Sequence, residues 1–323
     1  MTTADTSPAR ERFNVTQELV LLVALAVALA ILAILSDRFF TVGNLLNQGR
    51  LMTEVALVAL PMTFIIITGG IDLSVGSIMG LTAILLGVFW QGGIPLPLAV
   101  LAAILCAGAC GFFNGLLITR LRVPPLIMTL ATLALFRGLA EGISQARSVR
   151  GYPEWFFVLG QGEVLGGPTQ LWLLLVAVVV FWIVLSRTTF GRSLYAIGYN
   201  ETAARYSAIR VDRIKLVIYT LSGIMSGIAG AIFVSRVSTT RSDMGTGLEL
   251  DVIAAVVLGG TSIFGGVGTI AGTVLGFTLI QLLKNGLALT GVKGDATIVV
   301  IGTVLILSIL ITNFLQHRRG SDG

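Results

Sequence analysis

Apolar residues run through this chain in long blocks, broken by short polar or glycine-rich stretches. From Leu19 to Leu35 there is no polar or charged side chain, and in lipid such a block satisfies its backbone groups only as a helix. Similar blocks predict spans at 19–36, 51–68, 74–90, 95–118, 124–143, 170–186, 214–235, 250–262, 268–284 and 296–314. Each crossing takes about 20 residues for a hydrocarbon core about 30 Å thick, so 323 residues hold roughly ten spans and short loops. The predicted fold class is all-α, a polytopic transmembrane helical bundle of about ten spans. Residues 1–18 form an N-terminal tail, 19–314 a single membrane domain and 315–323 a C-terminal tail. Glycines interrupt the second, third, eighth and ninth spans. A signal peptide is the competing reading of the first block. Its leading segment mixes Arg10 and Arg12 with Asp5, Glu11 and Glu18, and Ser36 to Phe40 offers no small-x-small cleavage site, which favours a retained span.

Composition narrows the class. The chain is 55% hydrophobic with mean hydropathy +0.95, and 11% of it is charged, where soluble domains average about 25%. No sizeable water-soluble domain fits. The net charge of +5 and pI near 9.6 raise the question of nucleic acid, but the basic residues are dispersed over several loops, so no nucleic-acid partner is expected. They read instead as orientation signals. With the N-terminus inside, Arg120, Arg122, Arg187, Arg192, Arg205, Arg210, Arg213, Lys215, Arg318 and Arg319 all fall on the cytoplasmic side, and the other breaks are mixed or acidic. Both termini are then cytoplasmic. Cys106 and Cys110 lie four apart in an apolar block and read as small hydrophobes. His317 is the only histidine, so no metal site and no catalytic set is expected.

The breaks carry the candidate chemistry. GGIDLSVGSIMG at 69–80 joins two apolar blocks with almost no room for a loop in water, which puts Asp72 near membrane depth. Ionisable residues there face a protein-lined or wet cavity. Asp72 and Ser74 therefore shape or gate a polar pathway, or cap the third span, or do both. Thr68, Gly69, Gly70, Asn114 and Thr129 complete the candidate pathway set by their polarity or flexibility in an apolar setting, although such polar residues also bond between helices. A second break, GGTSIFGGVGTIAG at 259–272, is loosely similar. Either an internal repeat or the general likeness of glycine turns accounts for it. It lacks both the P-loop ending and dinucleotide-site spacing, so the chain binds no nucleotide. Pairs Gly76/Gly80, Gly111/Gly115, Gly223/Gly227 and Gly272/Gly276 predict close helix contacts.

The longest basic loop, 187–213, has enough apolar sequence to form a short helix, and it reads as a docking element or as a solvated orientation signal. Tyr152, Trp155, Phe156 and Phe157 fit an interfacial aromatic belt or an extracytoplasmic contact.

Three segments in order, GGIDLSVGS (69–77), FGRSLYAIGYNETAARYSAI (190–209) and ELDVIAAVVLGGTSIFGG (249–266), make the chain resemble permease subunits of binding-protein-dependent ABC importers for monosaccharides, of the ribose, xylose, arabinose and rhamnose type. The resemblance covers nearly the whole chain. It implies a non-catalytic permease in a bacterial inner membrane, paired with a second permease subunit as a homo- or heterodimer. Its partners would be an ATPase subunit that binds ATP and Mg and a periplasmic or lipid-anchored sugar-binding protein. It also implies that Gly191, Arg192, Asn200, Glu201, Ala204 and Arg205 belong to the ATPase coupling loop. Around Pro61 the chain is similar to rhamnose and autoinducer-2 permeases, a lean toward rhamnose. A stand-alone secondary transporter or channel is the rival reading. An intramembrane enzyme lacks a catalytic set, and a receptor or scaffold is weakened by the short loops.

Overall fold

The computed structural model describes residues 9–145 and 147–292, together with 296, 297, 299, 302 and 303. The expected tenth span is thus almost wholly outside the described residues, as are 1–8 and the tail bearing His317, Arg318 and Arg319. The chain runs α1 (Ala9–Leu35), α2 (Val42–Ile67), α3 (Val75–Gln91), α4 (Leu96–Arg120), α5 (Pro125–Ser144), α6 (Glu154–Gln161), β1 (Glu163–Val164), β2 (Gly167–Pro168), α7 (Thr169–Arg187), α8 (Thr189–Tyr199), α9 (Glu201–Tyr206), α10 (Val211–Val237), α11 (Leu248–Leu258) and α12 (Ile270–Leu289). Each of the first nine predicted spans coincides with a helix. Six of these, α2, α4, α5, α7, α10 and α12, are long and apolar enough to cross a membrane.

α11, expected as the eighth span, has 11 residues. At 1.5 Å per residue it covers about 16 Å, half of a bilayer core. Gly259 and Gly260 end it, the latter at φ +91°. Three short elements were not expected. α6 packs Phe156 and Gly160 inward, and β1 with β2 closes a small hairpin through Leu165 (φ 53°) and Gly166 (φ 76°), the positive angles that a two-residue turn requires.

α2 is the axis of the bundle. From Ala56 to Ile67 every side chain is buried, the property of a helix enclosed on all sides. α7, α10, α11 and α12 pack around it, α10 also holds α3 and α4, and α1 lies against α12. The predicted small-residue pairs are contact points. A side chain on Gly111 would overlap α10 at Tyr219 and Gly223, and one on Gly276 would overlap α11 at Ala255. Backbones can approach that closely only where no Cβ intervenes, the lipid-phase substitute for a hydrophobic drive. The outer faces of α4, α5 and α7 carry exposed Leu101, Leu105, Leu130, Leu175 and Val176.

Candidate functional site

The α2–α3 break lies inside the bundle. Asn114, one of its partners, is about 9 Å in from the end of α4, and Ser222 is about 17 Å in from the start of α10, at 1.5 Å rise per residue. Asp72 and Ser74 are fully buried. Asp72 Oδ1 accepts from the Ser74 backbone N–H at 3.0 Å and from Ser74 Oγ at 2.6 Å, while Oδ2 accepts from Ser222 Oγ at 2.9 Å. Asn114 Nδ2 donates to Ser74 Oγ at 2.8 Å. Four side chains, two from the break ahead of α3 and one each from α4 and α10, thus close one network. Such donors replace the water that a buried polar group loses.

Of the remaining candidates, Thr129 and Gly70 meet the break at Ile71 and Tyr219. Thr129 Oγ1 donates to the Ile71 carbonyl at 3.2 Å and the Pro125 carbonyl at 2.9 Å, and the Tyr219 hydroxyl donates to Ile71 O at 3.4 Å. Gly70 leaves room for that phenol, since a Cβ there would come within 2.7 Å of it. Thr68 Oγ1 bonds its own helix at Ile65 O, and Gly69 makes the turn at φ +75°. Ser222 and Tyr219 were missed from the sequence, where α10 offers Ser222, Ser226 and Ser235 with nothing to tell their faces apart.

The predicted coupling loop folds as an elbow of two helices. Thr188 Oγ1 accepts from Gly191 N–H to cap α8, and Asn200 Oδ1 accepts from Ala203 N–H to cap α9. These bonds satisfy backbone donors at each helix start. A side chain on Gly191 would overlap the Leu185 carbonyl, so the turn out of α7 requires glycine there. Ala204 is buried against Ile197 and Val211, whereas Arg192 is exposed. Glu201 pairs with Arg205 at 2.9 Å and with Lys215 at 2.6 Å, and Arg205 pairs with Asp212. Partial burial pushes the Glu201 carboxyl up, but hydrogen bonds from Lys215 and Arg205 outweigh it and hold the group below the usual carboxylate range. A groove of about 630 Å³ separates this elbow from the α4–α5 turn at Arg122 and Pro124.

The elbow meets both glycine-rich breaks backbone to backbone. Gly266 N–H donates to the Ile67 carbonyl at 2.9 Å. A side chain on Gly198 would overlap that same carbonyl and the Gly266 amide. Tyr195, beside them on α8, donates its hydroxyl to Gly268 O at 2.7 Å. Burial pushes that phenol up to about 12, so it remains a donor across the physiological range. The second break presents Phe264, 87% exposed, and the elbow presents exposed Tyr199. Neither Gly198 nor Phe264 was picked out from the sequence.

The aromatic segment after Arg150 divides. Tyr152 and Phe156 are buried, with ring centroids 5.4 Å apart, and Tyr152 stacks on Trp90, whereas Trp155 is exposed. Half of the expected belt is therefore packing.

Residues 44–309 match the family described as the permease component of the branched-chain amino acid transport system. The ribose import permease protein of Bacillus subtilis (strain 168) is 41% identical over 300 residues, covering 92% of this chain and 93% of that protein. The ribose import permease protein of Escherichia coli (strain K12) is 40% identical over 302 residues, covering 91% and 93%. The autoinducer 2 import system permease protein of Escherichia coli O9:H4 (strain HS) is 36% identical over 308 residues, covering 94% and 93%. No solved structure matches the chain. With the match spanning most of its length and carried by a bundle of membrane-length helices, the chain belongs to this permease family and is a multi-pass membrane protein.

Proposed function

We propose that this chain is the permease subunit of an ATP-driven importer for a monosaccharide or a similar small polyol in a bacterial inner membrane. The observation that carries the reading is the junction of the α8–α9 elbow with both glycine breaks through Gly198, Gly266 and Ile67. An ATPase on the elbow would there act directly on the segments that interrupt the membrane helices. Exposed Tyr199, Tyr206 and Phe264 supply apolar contact for such a partner, and aromatic side chains are favoured anchors in protein interfaces.

In this reading there are ten spans and both termini are cytoplasmic. The elbow end is then the cytoplasmic end, in keeping with Arg120 and Arg187 in the last turns of α4 and α7 and with the basic bias of cytoplasmic loops. A sugar-binding protein delivers cargo to the opposite end, and a second permease subunit completes the pathway. ATP and Mg are bound by the partner ATPase. Closure of the ATPase pair moves the elbow, the elbow moves the breaks, and the Asp72 network holds α3, α4 and α10 in register as they shift. The relatives carry ribose and autoinducer 2 in their names, and L-rhamnose, favoured by the sequence around Pro61, is the third candidate.

The test is uptake of labelled D-ribose, L-rhamnose and autoinducer 2 into proteoliposomes holding this chain, its ATPase and its binding protein. One of the three should accumulate only with ATP. Glu201→Ala combined with Arg205→Ala should reduce co-purification of the ATPase. Uptake by the chain alone on an ion gradient would establish the secondary-transporter reading instead.

A further inference from the structure

A second polar region lies well away from Asp72. Glu54 is buried halfway along α2, about 18 Å from one end of the helix and about 20 Å from the other. It pairs with Arg236 of α10 at 2.7 Å. Beside it Lys284 of α12 pairs with Asp251 of α11, and Arg241 pairs with Asp243 in the loop between α10 and α11. These groups line a cavity of about 440 Å³ together with Gln281, within the size range of small-molecule sites. The loop is drawn down to this depth by Arg137, in the middle of α5, which donates to the carbonyls of Ser242 and Met244.

An amide ladder leads into the cavity from the outer end of α2. Asn44 and Asn285 exchange hydrogen bonds at 2.8 and 3.0 Å. One turn deeper Gln281 Nε2 donates to Gln48 Oε1 at 2.8 Å. Asn44 and Gln48 on α2 and Asn285 and Gln281 on α12 are each four apart, which puts each pair on one helix face. Charges at mid-depth are costly, and where they occur they pair, face the bundle interior and mark pathways.

Charge decides the cargo. Three basic and three acidic groups line the cavity, and each is paired, so the site offers many donors and acceptors with no net charge. An ion would meet no counter-charge, whereas a ligand rich in hydroxyl groups finds partners for both its O–H donors and its oxygen acceptors.

We infer that this cavity is a transit site that holds the hydroxyl groups of an uncharged, polyhydroxylated solute, with Gln281, Asp251 and Lys284 as its contacts. The inference rests on the importer reading, and it locates cargo contacts at the α2–α12 ladder and not at the Asp72 network.

The test uses the complete reconstituted importer and reads sugar moved per ATP hydrolysed, with whichever of D-ribose, L-rhamnose and autoinducer 2 the wild type carries. Gln281→Leu, and separately Asp251→Leu with Lys284→Leu, should lower that ratio by about five-fold or more, the value of a lost hydrogen bond. Asp251→Asn with Lys284→Gln keeps hydrogen-bonding shape without charge and should stay within about two-fold of wild type on the same scale. An unchanged ratio in both leucine variants overturns the inference, as does an Asn/Gln pair that fails as badly as the leucine pair. Co-purification of the ATPase with each variant, expected to equal that of the wild type, separates a lost cargo contact from lost assembly. ATP-independent import by the wild type would sink the importer reading itself, whereas ATP-driven import indifferent to these variants sinks the cavity assignment alone.

Discussion

Both carboxylate oxygens of Asp72 are engaged with Ser74 and Ser222, which makes this residue a tie between the break and α10. Asp72→Ala leaves the buried Ser222 hydroxyl without its acceptor, at a cost of about 1–3 kcal/mol. The expected result is a lower thermal midpoint in detergent and impaired uptake, with the assembled complex still isolable. A wild-type midpoint together with normal uptake kinetics would remove Asp72 from the mechanism. Asp72, Ser74, Asn114 and Thr129 were legible as polar residues inside apolar sequence, and the structure brings all four to the same break. Ser222 and Tyr219 were not, because a sequence does not tell which face of α10 meets α3. Glu54 is a different case. A charged residue within the predicted span 51–68 is a pathway signal in its own right, and its significance emerges only with Arg236, which is 182 positions away.

At the scale of elements, hydropathy located nine helices but misjudged their extents. α2 begins at Val42, where the block was expected to begin at 51, because Thr41 caps it and Asn44 and Gln48 are polar yet helical. α11 was expected to be a full span, since apolar composition reports burial in general and not depth. That 187–213 has order-forming sequence was legible, and its two helices take a fixed shape from their caps and ion pairs. Its attachment to the breaks was illegible, because close approach of three backbones leaves only glycines as a trace. Gly198→Ala introduces a methyl group into the space of the Ile67 carbonyl and the Gly266 amide. A forced shift of this kind costs about 1–3 kcal/mol. The ATPase should still co-purify while uptake per ATP falls; equal coupling in variant and wild type would show that the junction transmits nothing.

Across the described molecule, the outer helix faces are apolar like the core, and the charged pairs are set within it. Ion pairs and amides lie along α2 and its neighbours, and aliphatic side chains cover α4, α5 and α7. Val176, 64% exposed near the middle of α7, belongs to the surface that lipid or another membrane subunit covers. Val176→Asp should therefore reduce membrane-integrated yield, consistent with a cost of about 2.5–3.5 kcal/mol for a charge at the centre of a spanning helix. Unimpaired integration would argue that this face meets water. Such a surface was readable from composition alone, but the organisation of the interior required the fold.

The pairing of Glu54 with Arg236 and of Asp251 with Lys284 also has an electrical consequence. A single charge carried across a membrane exchanges about 2.3 kcal/mol with the field for every 100 mV. Helices that move with both members of a pair carry no net charge, and an uncharged cargo adds none. In the importer proposed above, movement of these two pairs together with such a cargo would exchange nothing with the membrane potential.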